Sequence, residues 1–138
     1  MSHQISCLVL FFLWSSTALF SQQTEEFQLS THMLDLSKGE PAAQVPVTLY
    51  RWDTSRAEWV IHIRSVTGEN GRVGDLLPTG RDNEGVYKLR FETRAYFTDQ
   101  GLTSIYPYVE VVFEIRGKGH YHIPITMSAN GYSTYRGN

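Results

Sequence analysis

The sequence predicts an all-β sandwich of about eight short strands with one short helix. Three observations carry that prediction. From Phe27 onward, apolar and polar residues alternate in short runs rather than recurring every three or four positions. Clusters of Gly, Pro, Asn, Asp and Ser separate the runs. Only the interval Thr93 to Gln100 breaks the alternation, and it closes on Gly101, the residue favoured just past a helix end.

The strands are expected over Gln28 to Asp35, Val45 to Trp52, Trp59 to Val66, Arg72 to Leu76, Gly85 to Glu92, Tyr106 to Arg116, His120 to Ser128 and Tyr132 to Tyr135. Between them lie Lys38-Gly39-Glu40-Pro41, Asp53-Thr54-Ser55, Glu69-Asn70-Gly71, Pro78-Thr79-Gly80, Gly117-Lys118-Gly119 and Asn130-Gly131, whose residue types supply the dihedral angles and local hydrogen bonds of turns. Register follows from burial. Tyr87, Leu89 and Phe91 form one apolar face against Lys88, Arg90 and Glu92, and Val109, Val111, Phe113 and Ile115 do the same against Tyr108, Glu110 and Glu114.

A chain of 138 residues suffices for one domain, expected over residues 27–138. The formal net charge of −2 supplies no broad basic field, which argues against nucleic acid or an anionic membrane surface as the main partner. No Lys, Arg, Asp or Glu precedes Glu25, and the apolar run Cys7 to Trp14 leads into Ser15, Ser16, Thr17 and Ala18. That is the outline of a secretory signal over residues 1–18, cleaved after Ala18 with Ser21 as a second candidate, followed by a linker over 19–26. The apolar run is far short of the roughly 20 residues of a spanning helix. Cys7 is the only cysteine and would leave with the signal, so the remaining domain has neither a disulfide frame nor a cysteine nucleophile.

The residues with chemical capacity are few. In His120-Tyr121-His122 the two imidazoles share one strand face, a pattern that suits a general base or proton relay, a pair of solvated surface histidines, or two ligands of a zinc site needing a third from elsewhere. His32 lies on the face opposite Leu29, Thr31 and Met33. Arg72 leaves the Asn70-Gly71 turn, where a guanidinium either holds a planar anion by paired hydrogen bonds or is simply exposed. The ending Tyr132-Ser133-Thr134-Tyr135-Arg136-Gly137-Asn138 either frays or lines a pocket. No Gly-x-Ser-x-Gly elbow, phosphate-binding loop or helical zinc motif is present.

Taken together, Leu29-Ser30-Thr31-His32-Met33-Leu34-Asp35, Gly71-Arg72, Gly85 to Thr93, Tyr106 to Phe113, His120-Tyr121-His122-Ile123-Pro124 and Tyr132 to Gly137 resemble the 5-hydroxyisourate hydrolases, over Gln28 to the end. Several of these segments are shared with transthyretin, the hormone carrier of the same fold, so the resemblance implies a transthyretin-like (prealbumin) sandwich. The hydrolase family has His in its first strand, Arg after the glycine turn, His-x-His in its penultimate strand and a Tyr-Arg-Gly-Ser ending. Here the matching residues are His32, Arg72, His120 with His122, and Tyr135-Arg136-Gly137-Asn138, with asparagine in place of the terminal serine.

The resemblance implies hydrolysis of 5-hydroxyisourate to 2-oxo-4-hydroxy-4-carboxy-5-ureidoimidazoline in urate breakdown, without metal or organic cofactor. His32, Arg72 and His122 would be catalytic; His32, Arg72, Tyr135 and Arg136 would bind substrate; His120, Ser133 and Gly137 would support them. It also implies a homotetramer with sites where two dimers meet, His32 and His122 coming from neighbouring copies. The alternatives are a secreted transthyretin-type carrier and a zinc site of His120, His122 and His32. Secretion is expected from the N-terminus, with the peroxisome as alternative, because animal relatives are commonly peroxisomal. The residues before Glu25 hold no Lys or Arg for an N-terminal peroxisomal address, and the tail is not Ser-Lys-Leu-like.

Overall fold

A computed structural model of the chain describes residues 26–138, so the signal-like segment 1–18 and all but the last residue of the linker lie outside the described residues. The elements run β1 (Phe27–Asp35), β2 (Glu40–Pro41), β3 (Pro46–Asp53), β4 (Glu58–Val66), β5 (Arg72–Pro78), β6 (Gly85–Phe91), α1 (Thr93–Thr98), β7 (Val109–Ile115), β8 (Tyr121–His122), β9 (Ile125–Ser128) and β10 (Gly131–Thr134). All eight expected runs contain strand, and the expected helix is present.

The strand count rises to ten for two local reasons. The run expected as continuous from His120 to Ser128 is split into β8 and β9, because Pro124 has no N–H to give to the ladder. The Lys38-Gly39 breaker is the turn of a tight hairpin: Gly39 takes φ +68° and Glu40–Pro41 pairs back onto Leu34 and Asp35. The buried Asp35 carboxylate holds that turn by accepting from the backbone N–H groups of Ser37 and Lys38, at 2.9 and 3.3 Å. β7 starts at Val109 rather than Tyr106, just beyond another missing donor, Pro107. The helix ends as its glycine predicts. Gly101 at φ +73° donates to Thr98 O and Leu102 donates to Phe97 O, which satisfies the last carbonyls.

Two sheets form the sandwich. One has the order β4-β3-β6-β7, antiparallel throughout. In the other, β1 is central: β5 and β2 pair antiparallel with it, β8 and β9 pair parallel with it, and β10 flanks β9. Leu29, Met33, Ile125 and Met127 from this sheet meet Leu49, Tyr87, Leu89 and Phe91 from the other, all at most 1% exposed. At about 1.5–3 kcal/mol for each large side chain removed from water, these contacts dominate the folding free energy. The buried Gln28 side chain ties sheet to loops: its Nε2 donates to the carbonyls of Gly117 and Gly119, while its Oε1 accepts from Asn83.

The β1–β5 pairing shifts register between Leu29 and Thr31, where Gly74 and Asp75 face a single residue of β1. The bulge is what allows Val73 and Leu76, three apart, both to face the core while Arg72 stays outside. At the head of β5, Gly71 has φ +72°, and a Cβ there would lie 2.5 Å from Met33 O and 2.9 Å from the Pro41 ring. Replacing Gly71 by Ala is expected to destabilise the domain by roughly 2–5 kcal/mol through backbone strain and overpacking. Gly74→Ala, with nothing within 4 Å of the new methyl, is expected to stay within about 1 kcal/mol. Urea unfolding of the two variants checks the contrast.

Candidate active site

Because β1 alternates, Leu29, Thr31, Met33 and Asp35 enter the core while Ser30, His32 and Leu34 face the other way. Pairing then lays partners beside each of these outward residues. Arg72 of β5 lies across from His32, His122 of β8 lies beside Ser30, and Thr126 of β9 lies beside Leu34, with Ser133 of β10 next in that row. Neighbouring strands are about 4.8 Å apart and alternate residues about 6.6 Å along a strand, so His32, Arg72 and His122 share one patch of the sheet. One chain is sufficient to bring them together. This corrects the expectation that His32 and His122 come from neighbouring copies: parallel pairing of β1 with β8 is what unites them.

Hydrogen bonds organise the imidazoles. Ser30 Oγ lies 2.8 Å from His122 Nδ1 and 3.0 Å from His120 Nε2. His120 Nδ1 is 3.0 Å from the Phe27 carbonyl. Both ring nitrogens of His120 are thus engaged within the protein, and neither is left for a metal. Among the described residues, no group of three His, Cys, Asp or Glu side chains is placed to hold a metal ion. His32 differs, since its Nε2 is buried and has no hydrogen-bond partner. Such an orphan is uncommon, and a ligand group is one thing that would satisfy it.

Burial and nearby charge both favour the neutral form of these rings. The His32 pKa is lowered by burial and then by the Arg72 guanidinium, with the Asn70 backbone acting in the opposite sense. That of His122 is lowered by burial and then by Arg72, His32 and His120, against the backbone of Ser30. Among the described residues Arg72 forms no ion pair, so its guanidinium keeps its donors for oxygen atoms arriving from solution. Two neutral bases beside a free guanidinium can activate water and steady the negative charge that forms on an attacked carbonyl.

The tail divides. The Gly137 N–H donates to His122 O at 2.8 Å, and a Cβ on Gly137 would stand 2.7 Å from His122 Cδ2, so only glycine lets the chain lie against that ring. Ser133 lies on the same outward face, its hydroxyl 2.7 Å from Thr126 Oγ1. Tyr135 and Arg136 do not join the cluster. The Arg136 guanidinium sits 4.2 Å over the ring of Tyr121, a residue on the core side of β8, and both line a 310 Å³ depression bounded by β7. A 620 Å³ depression near Arg90, Arg94 and Tyr108 contains none of the expected site residues. Ser30 is the one member of the cluster to which sequence reading gave no role. Its two-residue spacing from His32 was visible, but its neighbours on β8 were not.

If Arg72 depresses both imidazoles, Arg72→Gln removes one lowering influence from each. The expected outcome is an upward movement of both His32 and His122 in an NMR titration of ring protons. His62, which is lowered by burial, Arg51 and Arg81 instead, is expected to stay in place. Unchanged His32 and His122 titrations would exclude Arg72 as the cause.

Comparison with known proteins identifies the family. Residues 29–137 match the HIUase/Transthyretin family. A probable 5-hydroxyisourate hydrolase of Caenorhabditis elegans is 42% identical over 110 residues, 79% of this chain and 80% of its own length. The mouse 5-hydroxyisourate hydrolase is 39% identical over 115 residues, 83% of this chain and 98% of its own. Among solved structures, sea bream transthyretin in complex with thyroxine superposes with a TM-score of 0.74 at 31% identity, covering 79% of this chain and 93% of that one. With fold, strand pairing and sequence in agreement over nearly the whole described domain, the chain belongs to the HIUase/Transthyretin family.

Proposed function

We propose that this chain hydrolyses 5-hydroxyisourate, opening its six-membered ring to give 2-oxo-4-hydroxy-4-carboxy-5-ureidoimidazoline. The single observation that carries the reading is the convergence of His32, Arg72 and His122 on the outward face around β1, in a chain whose relatives are 5-hydroxyisourate hydrolases. A carrier has no need of two imidazoles that favour the neutral form beside a guanidinium that forms no ion pair among the described residues. Sea bream transthyretin supports the shared fold rather than the carrier alternative.

In this reaction a neutral imidazole, His122 aided by His32, takes a proton from water as the oxygen attacks the ring carbonyl. Arg72 donates to the carbonyl oxygen as charge gathers there. The ring C–N bond then breaks, the departing nitrogen accepts a proton, and a carboxyl and a ureido group remain. General-base assistance contributes on the order of a hundredfold to ten-thousandfold. Tyr135 and Arg136 stay proposed as substrate-enclosing groups on the family resemblance alone, since Arg136 stacks on Tyr121 in the single chain. Assembly into a homotetramer and delivery to the secretory pathway belong to the same proposal, the first supported by family membership and the second by the composition of residues 1–18.

Purified protein is expected to accelerate loss of 5-hydroxyisourate absorbance, equally with and without a chelator. A rate no greater than buffer, together with saturable thyroxine binding, would favour the carrier. His122→Ala or Arg72→Glu is expected to remove most of the rate while leaving the assembled mass unchanged by light scattering. The pH profile follows from the lowered imidazoles: the neutral base persists as pH falls past the ordinary value of 6.5, so kcat/KM is expected to decline only below it. An acid limb above pH 6.5 would show that neither ring is the base.

A further inference from the structure

One hydrogen-bonded row runs from the backbone into the site through three side chains, and its direction can be worked out from donor and acceptor chemistry. It begins at the Phe27 carbonyl, which can only accept. His120 Nδ1, 3.0 Å away, must therefore carry a proton and donate to it. With His120 neutral, its Nε2 has no proton and must accept. Among the described residues, the only donor beside it is the Ser30 hydroxyl at 3.0 Å. A hydroxyl has one proton, and that proton is now committed. Ser30 Oγ can then serve His122 Nδ1, 2.8 Å away on its other side, only as an acceptor. His122 Nδ1 accordingly bears the ring proton.

We infer that Ser30 and His120 are positioning residues that lock His122 in its Nδ1–H tautomer, which leaves Nε2 unprotonated and free to act as the base. The inference rests on the hydrolase reading for the use made of that nitrogen, but the tautomer itself depends only on the hydrogen-bonded row. Among the described residues, His122 Nε2 has no hydrogen-bond partner, while Gly137 packs against the adjacent Cδ2 and restricts rotation of the ring. The backbone does the rest of the alignment: parallel pairing sets Ser30 beside His122, and the Ile123 N–H donates to the Ser30 carbonyl at 3.0 Å. The arrangement has the logic by which a carboxylate orients a catalytic histidine, with a hydroxyl and a second imidazole in the carboxylate's place and a main-chain carbonyl fixing the polarity.

Long-range proton–nitrogen NMR of the imidazoles, at about pH 8 where unperturbed imidazoles are neutral, reads the tautomers directly. In the full chain both His120 and His122 are expected as Nδ1–H. Ser30→Ala is expected to release His122 to the Nε2–H form and to lower kcat about tenfold or more with KM nearly unchanged. Ser30→Thr, which keeps the hydroxyl, is expected to restore the tautomer and most of kcat. A wild-type His122 in the Nε2–H form overturns the inference. So does a Ser30→Ala protein that retains both tautomer and kcat, or one that loses all turnover with the tautomer unchanged, as a serine nucleophile would. If the wild-type protein fails to turn over 5-hydroxyisourate, the hydrolase reading fails, while the spectra still decide whether the lock exists.

Discussion

The site depends on one strand having different partners on its two edges. β1 pairs antiparallel with β5 at His32 and parallel with β8 at Ser30, so a single alternating strand aligns Arg72, His32, Ser30 and His122 without any of them leaving regular structure. The opposite face of β1 supplies Leu29, Thr31 and Met33 to the core, none of them exposed. Burial of that face sets the register, because a slip of one residue would turn Leu29 and Met33 into solvent and the imidazole of His32 into the core. The hydrophobic effect therefore aims the polar groups, although they take little part in it.

Holding bases this way has a thermodynamic cost that the rest of the fold offsets. The His32 Nε2 is buried without a partner, which costs about 1–3 kcal/mol relative to a satisfied group. Burial and the guanidinium of Arg72 push both rings toward their neutral forms. Their pKa values are depressed on folding, so the stability they leave intact is present above the unfolded value of 6.5 and is lost as pH falls below it. A site that favours neutral imidazoles beside a guanidinium is thus also one that acid weakens.

Backbone constraints on both sides make the arrangement specific. Gly71, at φ +72° with Met33 O closer than a methyl could tolerate, admits the close turn that delivers Arg72 to His32. Gly137 lets the C-terminal segment lie on the His122 ring, so the chain end belongs to the site through its backbone rather than through the larger side chains before it. Pro124 interrupts the strand between β8 and β9 at the row of His32, which frees the backbone there from regular pairing.

Much was legible in the sequence because it depends only on period and residue type. Alternation over β1, β6 and β7 gave strands with their faces assigned, Gly101 gave the helix end, and the spacings placed His32 opposite Leu29 and put His120 with His122 on one face. Which strand lies beside which is a property of the packed sandwich. A pairing over |i−j| of 92, such as Ser30 with His122, leaves no trace in local composition, so Ser30 read as an ordinary strand residue. For the same reason the stacking of Arg136 on Tyr121, 15 residues away, left no mark in the sequence. The sequence determined which residues have two faces to offer; the tertiary structure decided which of those faces meet, because parallel pairing of distant strands is selected by burial of the whole core.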